Sequence, residues 1–225
     1  MTAACAVFVK TPGLSPIKTR LAAGIGAAAA GAFYELAVKA VEEVLSTVEA
    51  RALATPYWAI AERDAAARWP TFSTLWQGDG GLADRLDRVY AALLTKHDIV
   101  YLVGADCPQL AASDLAAARV ALDAGAAFAI GPARDGGFYL LAGRRPIRRE
   151  AWLAVPMSAA DTGARLAAVL APLGGVAHLA TRTDVDQVED LDYARQELAS
   201  LINPVAAQRV LLAWLSQTPL SVARG

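Results

Sequence analysis

The chain has 225 residues, 56 % of them hydrophobic, with a mean hydropathy of +0.35 and a formal net charge of −1. That apolar content argues against a disordered chain and suits one domain spanning residues 1–225. The near-neutral charge argues against nucleic-acid binding, which needs a basic excess.

The chain opens on an apolar run at 4–9 that reads as a strand and passes directly into Lys10, with no basic start of the kind a signal peptide shows. A basic loop follows, then an Ala-rich helix over 27–50. Next come a strand at 55–61, a helix over 62–69, a strand at 73–76, a helix over 82–95, a strand at 98–103 and a helix over 112–124. Strands at 126–131 and 138–142 precede a proline-punctuated loop near 145–156. A helix over 159–171, a strand at 176–181 and helices over 187–200 and 204–216 complete the chain, with Asn203-Pro204 as cap and first residue of the last. This alternation predicts an α/β fold, a mainly parallel sheet with helices on both faces. No uninterrupted apolar run reaches the roughly 18 residues of a membrane span. Cys5 and Cys107, with His97 and His178, are too few for a disulfide framework or a zinc site, and a cytoplasmic setting is expected.

In an open parallel sheet, ligands sit beyond the carboxyl ends of the strands, so the polar residues just after each strand are the candidates. After the first strand, Lys10, Lys18 and Arg20 surround Pro12, Gly13 and Pro16. Cations and free amides there suit a phosphate; a solvated basic loop is the plainer alternative. Gly24-Ile25-Gly26 through Ala29 imitates a dinucleotide fingerprint but does not follow a strand directly, so it reads as a break before the long helix. Asp106, in Gly104-Ala105-Asp106-Cys107-Pro108, sits where a carboxylate can hold Mg²⁺ against a phosphate, or can cap a turn. Asp135-Gly136-Gly137 suits either a tight turn or a bare backbone lying against a substrate, with Asp135 accepting from hydroxyls. Asp186 with Glu189 fits a capping box, and a capping Asp can still offer its second oxygen to a metal. The Arg144–Arg149 cluster reads as a solvated face or an anionic-acceptor contact, and Asp79–Leu86 as a loop entering a helix. The five Trp residues read as packing. No P-loop, nucleophile elbow, H-E-x-x-H or C-x-x-C motif occurs.

Taken in order, four blocks resemble the bacterial DUF2064 proteins, known as GT-A-type glycosyltransferases or selenodomain-associated transferase 1. They are Phe8-Val9-Lys10-Thr11-Pro12 through Lys18-Thr19-Arg20-Leu21, Gly104 to Pro108, Asp135-Gly136-Gly137-Phe138-Tyr139-Leu140-Leu141, and Asp184-Val185-Asp186 through Glu189-Asp190-Leu191. The segment Gln77 to Leu86 is also similar to a family block. Ala105 stands where Ser or Thr is commoner, and Gln187-Val188 where Thr-Pro is usual; neither change removes a carboxylate.

The resemblance implies a three-layer αβα sandwich of the Rossmann-like nucleotide-diphospho-sugar transferase type. It implies a metal-dependent transferase acting on a nucleotide-activated substrate, glycosyltransferase-like, with a nucleotidyltransferase or a non-catalytic nucleotide-binding protein as alternatives. On this reading Lys18 and Asp106 are the catalytic residues. Lys10, Pro12, Gly13, Lys18 and Arg20 bind nucleotide phosphates. Asp106 and Asp186 (or Asp184) hold Mg²⁺ or Mn²⁺, and Asp135, Gly136 and Gly137 touch substrate. The expected partners are a nucleotide or nucleotide sugar and an acceptor; no residue pattern specifies that acceptor or an oligomeric state.

Overall fold

Seven strands build one sheet in the computed structural model, which describes residues 1–157 and 159–217. They are β1 (Ala3–Val9), β2 (Thr55–Ile60), β3 (Ser73–Trp76), β4 (Ile99–Gly104), β5 (Phe128–Pro132), β6 (Phe138–Gly143) and β7 (Val176–His178), in the order β3-β2-β1-β4-β6-β5-β7. All pairings are parallel except those of β6, which runs antiparallel to both β4 and β5. Every strand expected from the sequence is present, and the sheet is mainly parallel as predicted. The edge strands β3 and β7 are its shortest, which leaves few unpaired backbone groups on either rim. The reversal at β6 has a local consequence: the amino end of β6 lies beside the carboxyl end of β4.

The helices are α1 (Thr19–Ile25), α2 (Ala27–Ser46), α3 (Val48–Leu53), α4 (Leu82–Leu94), α5 (Ala112–Asp123), α6 (Arg149–Leu153), α7 (Thr162–Leu170), α8 (Val188–Ala199) and α9 (Ala206–Gln217). Several differ from the sequence expectation. The long helix over 27–50 breaks at Thr47, whose extended backbone (φ −64°, ψ 154°) lets its hydroxyl accept from Ala50 N and start α3. The stretch 62–69 forms only one 3-10 turn, Ala66–Arg68. Residues 19–25, expected as loop, are helical. Gly26 separates them from α2 with φ +85°, so the glycine pair is indeed a helix break. A short helix, α6, also interrupts the 145–156 loop. The last helix starts beyond Pro204; Glu43 of α2 caps it, accepting from Ala206 N (3.2 Å) and Ala207 N (2.6 Å).

The strand side chains alternate between two faces. Cys5, Val7, Val9, Tyr101 and Val103 pack against Tyr34, Val41 and Leu45 of α2 and Leu115 and Leu122 of α5. Ala4, Ala6, Val100 and Leu102 pack against Leu86, Val89 and Tyr90 of α4, Trp152 of α6 and Leu166 and Leu170 of α7. A third cluster, including Leu21, Phe33, Leu191 and Leu211, joins α1, α2, α8 and α9 outside the sheet. The result is the αβα layering. Fully buried large side chains such as Trp152 and Phe128 each stabilise it by about 2–3 kcal/mol. Among the described residues no helix is long and apolar enough to cross a membrane. Cys5 and Cys107 are buried free thiols.

Candidate active site

A cleft of ≈ 680 Å³ opens over the carboxyl ends of β1 and β4 and the amino end of β6. Its floor is Phe8 and Val9, Leu102 to Gly104, and Phe138 and Tyr139. Lys10, Lys18 and Arg85 bring positive charge to it; Asp106, Asp135, Asp184 and Asp186 bring negative charge. Asp106 and Asp135 lie in segments flanking a strand and Asp184 and Asp186 in the segment before α8, all outside the sheet ladder.

The loop between β1 and α1 is fastened at three points. The Tyr34 hydroxyl accepts from Lys10 N (2.9 Å) and donates to Lys10 O (2.8 Å). Glu62, just past β2, accepts from Thr11 N (2.9 Å) and from the Ser15 hydroxyl. Burial raises the Glu62 pKa, but the hydrogen bonds from Ser15 and Thr11 outweigh it and leave the carboxyl below its ordinary range. Lys18 is the third point. Its ammonium donates to Val185 O and pairs with Asp106 Oδ1 at 2.7 Å, and its side chain is only 5 % exposed. Lys18 is also the one non-glycine residue with positive φ among the described residues (+48°), at the start of α1.

The acidic side is assembled across long sequence distances. Val185 N donates to Asp106 O (2.9 Å), which splices the loop after β4 to the segment before α8. Asp186 pairs with Arg20 at 2.8 Å. The capping expected of Asp186 falls instead to Asp190, whose Oδ2 accepts from Gln187 N (2.8 Å) and Asp186 N (2.9 Å). The α8 cap is thus shifted by one residue, and the Asp186 carboxylate faces the cleft. Asp184 lies at the cleft bottom. Burial, then the Asp106 carboxylate, push its pKa up to about 8; Lys18 opposes this, while Asp135 and Asp186 add to it.

That shift makes a prediction with a definite sign. A carboxyl whose pKa is raised on folding holds a proton that the unfolded chain releases. Stability therefore falls as pH rises from about 4 to about 8, and the penalty is fully present only above that window. Asp184→Asn removes the slope. Its melting temperature should match that of wild type near pH 4 and exceed it by several degrees at pH 9, about 1–2 kcal/mol once solvent in the cleft is allowed for. Parallel melting curves across pH 4–9 without added metal would refute the burial of this charge.

The family model for DUF2064, described as an uncharacterized protein conserved in bacteria, matches residues 44–159, just over half of the chain. The chain belongs to the DUF2064 family. This DUF2064 protein is similar in fold to a crystal structure from Desulfovibrio desulfuricans G20, named provisionally as a nucleotide-diphospho-sugar transferase. The TM-score is 0.82 at 23 % identity, over 97 % of this chain and 99 % of that one. A 4-diphosphocytidyl-2C-methyl-D-erythritol synthase from Anaerococcus prevotii DSM 20548 shares the fold at TM-score 0.54 and 11 % identity, over 88 % and 96 % of the two chains. A cytidylyltransferase from Leptospira borgpetersenii does so at 0.52 and 10 %, over 97 % and 95 %. The nucleotide-diphospho-sugar transferase fold expected from the sequence is therefore the fold observed. No curated protein matches the chain.

In the DUF2064 protein, the residues singled out from sequence divide into two groups. Lys10, Lys18, Asp106, Asp135, Gly137 and Asp186 line the cleft. Pro12 lines a second cavity of ≈ 440 Å³ beside α2, and Gly13, Arg20 and Gly136 are not among the described cleft-lining residues. Gly13 (φ +83°) makes the loop's turn, and Arg20 reaches Asp186 from outside. Gly136 (φ +88°) is turned toward α7: a Cβ there would overlap Ala160 O, and its own carbonyl accepts from Gly163 N at 2.8 Å. Its missing side chain is explained by packing of the chain on itself. Asp135 accepts from Gly137 N (2.9 Å), so the turn reading and a cleft-facing carboxylate coexist.

Sequence reasoning passed over Gln77 and Arg85. Buried Gln77 donates to Val9 O (3.2 Å) and Ala59 O (2.8 Å), joining the ends of β1 and β2, while Arg85 donates to Gly80 O (3.1 Å) at the cleft wall. Their signal was present in the Gln77–Leu86 segment, where a basic residue enters a helix after paired glycines. The Arg144–Arg149 cluster proves to be scaffolding. Arg144 donates to Leu122 O and Arg145 to Leu173 O, each at 2.9 Å, closing two helical C-termini, and Arg149 pairs with Asp84.

Proposed function

We propose that the cleft is the active site of a metal-assisted transferase acting on a nucleotide-activated substrate. The observation that carries this is the buried Lys18 ammonium, 2.7 Å from Asp106, in a cleft that Asp184, Asp186 and Asp135 also line at the sheet's ligand-binding edge. A cation in direct contact with one carboxylate, with further carboxylates lining the same cleft, suits a ligand that is itself a phosphate chain with a hard counter-ion.

The donor set fits Mg²⁺ or Mn²⁺. All candidate ligands are carboxylate oxygens; burial first, and the neighbouring Asp106 carboxylate second, raise the Asp184 pKa, and a bound cation would offset both. Among the described residues no group of three or more His, Cys, Asp or Glu side chains is placed to hold an ion alone. Asp106 with Asp186 or Asp184 would hold it, with substrate phosphates and water completing the shell, the usual arrangement for Mg²⁺. When bound, the ion neutralises charge on the phosphate oxygens. Lys18 and Lys10 donate to the leaving phosphate as its charge grows, and Asp135 accepts from a substrate hydroxyl.

In glycosyl transfer, an acceptor hydroxyl attacks the anomeric carbon of a nucleotide sugar and a nucleoside diphosphate leaves. The family resemblance supports this version. A second version, attack on the α-phosphorus of a nucleoside triphosphate with loss of pyrophosphate, is favoured by Lys10 and Lys18 both lying on the loop straight after β1. It also agrees with the named activity of the Leptospira and Anaerococcus neighbours.

The test is a ligand panel of nucleotide sugars and nucleoside triphosphates, each with and without Mg²⁺ or Mn²⁺. Melting temperature and released diphosphate or pyrophosphate are both read. A ligand at 100 times its Kd stabilises the fold by about 2.7 kcal/mol. A metal-dependent shift with release of nucleoside diphosphate supports glycosyl transfer; release of pyrophosphate supports nucleotidyl transfer. Binding without turnover leaves a nucleotide-binding protein, and no shift with any member refutes the proposal.

A further inference from the structure

The carboxylates of the cleft come from three separate segments: Asp106 after β4, Asp135 between β5 and β6, and Asp184 with Asp186 before α8. Val185 N donates to Asp106 O, and Arg134 N and Arg182 N donate to Arg182 O and Pro132 O, so these segments are tied in pairs. A fifth carboxylate, outside the cleft, touches all three segments.

Glu197 lies on α8 with a side chain only 16 % exposed. Its Oε1 accepts from the Thr183 hydroxyl (2.7 Å) and from Arg134 Nε (3.1 Å). Its Oε2 accepts from Thr183 N (3.0 Å) and from Gln109 Nε2 (2.8 Å). Thr183 immediately precedes Asp184, Arg134 immediately precedes Asp135, and Gln109 follows Asp106 by three residues. Gln109 Nε2 also donates to Thr183 O, and Arg134 N donates to Arg182 O (3.0 Å). Four donors from three segments therefore converge on one carboxylate.

From this geometry we infer that Glu197 is a positioning residue: one half-buried carboxylate that sets the mutual placement of the three acidic segments of the active site. The inference rests on the proposed function. Its physical basis is that carboxylates of like charge repel, so segments carrying them drift apart unless donors behind them are tied to a common acceptor. A charged acceptor makes each of those bonds shorter and stronger than a neutral one would. Burial raises the Glu197 pKa, but its bonds to Thr183, Arg134 and Gln109 outweigh this and lower it, so the group is ionised where the site operates. The nearby Arg182–Asp114 pair, at 2.8 Å, holds only one of the three segments, to α5.

The experiment compares the full chain with Glu197→Gln and Glu197→Ala. Glutamine keeps the shape but turns an –NH₂ toward groups that are themselves donors; alanine removes the junction. Two quantities are read: Mn²⁺ affinity by titration, and amide hydrogen exchange over residues 106–109, 134–137 and 183–186. Loss of a residue that orients metal ligands typically weakens metal binding by about 10–100-fold. We expect a loss of that size in Glu197→Ala and a smaller one in Glu197→Gln, with exchange rising in all three segments together. Where wild type binds Mn²⁺, an affinity unchanged in the variants overturns the inference, even if their melting temperature falls. Where wild type binds no Mn²⁺, the functional proposal fails and the exchange data decide alone. A coordinated rise in the three segments then sustains the positioning role, and a rise confined to 183–186 overturns it. If the alanine variant does not fold, the same criteria apply to the glutamine variant.

Discussion

On the proposed function, replacing Lys18 with methionine should lower metal-dependent turnover of the nucleotide substrate by about 10²–10³-fold while leaving the fold intact. The size follows from removing one preorganised donor from a site where charge develops during reaction. Methionine preserves the length of the side chain along its buried path and deletes only the ammonium. Asp106, its ion-pair partner, is 41 % exposed and can be solvated, so the lost pair itself costs little stability. Initial rates and melting curves on the same preparation check both halves. An unchanged rate in a folded variant would remove Lys18 from the chemistry and leave it a strut between Val185 and Asp106.

Gly136→Ala should destabilise the protein by about 3 kcal/mol or more, a fall of roughly 6–12 °C in melting temperature for a chain of this length. Two effects add. The left-handed backbone at φ +88° penalises any Cβ, and this Cβ would also overlap the Ala160 carbonyl at the entry to α7. That carbonyl cannot simply retreat, because Gly163, close by, donates to Gly136 O and would itself place a Cβ 2.5 Å from Gly137 O. Gly13→Ala is the natural control. Its φ is similar, +83°, but nothing lies within 4 Å of its added Cβ, so only the backbone penalty of about 1–2 kcal/mol applies. Equal melting temperatures for the two variants would show that packing against α7 contributes nothing.

These two glycines show where the sequence was legible and where it was not. Strands were readable because a buried parallel strand writes itself as a short run of apolar residues, as Ile99 to Val103 does. Helices were readable where turn residues bounded them, as for α4 and α5. They were misjudged where a single side chain decided the break, as Thr47 does, or where loop-like composition folded as helix, as at Thr19–Ile25. The cleft was legible in sequence because Lys10, Asp106 and Asp135 follow closely on β1, β4 and β5, where the polar residues of an open sheet gather. Gly136 next to Gly137 carries no mark of which glycine faces a cleft and which faces a helix; that depends on α7, which begins far along the chain. The shift of the α8 N-cap from Asp186 to Gln187, and of the capping carboxylate from Glu189 to Asp190, is a matter of one residue of register, which helix-capping patterns do not fix. Glu62 and Glu197 left no motif, because each acts through backbone amides and neighbours distant in sequence.

The left-handed backbone at Lys18 has one more consequence. A glycine would occupy φ +48° without steric cost and, by backbone preference alone, would fold better there by about 1 kcal/mol. The chain instead carries a long, charged side chain in that conformation and threads it into the interior to pair with Asp106. A sequence optimised for thermal endurance would choose differently at this position. Stabilising redesigns of the protein should therefore be free to alter most of its loops and should leave residue 18 alone, since the most accessible gain in robustness there is the one that removes the cation from the cleft.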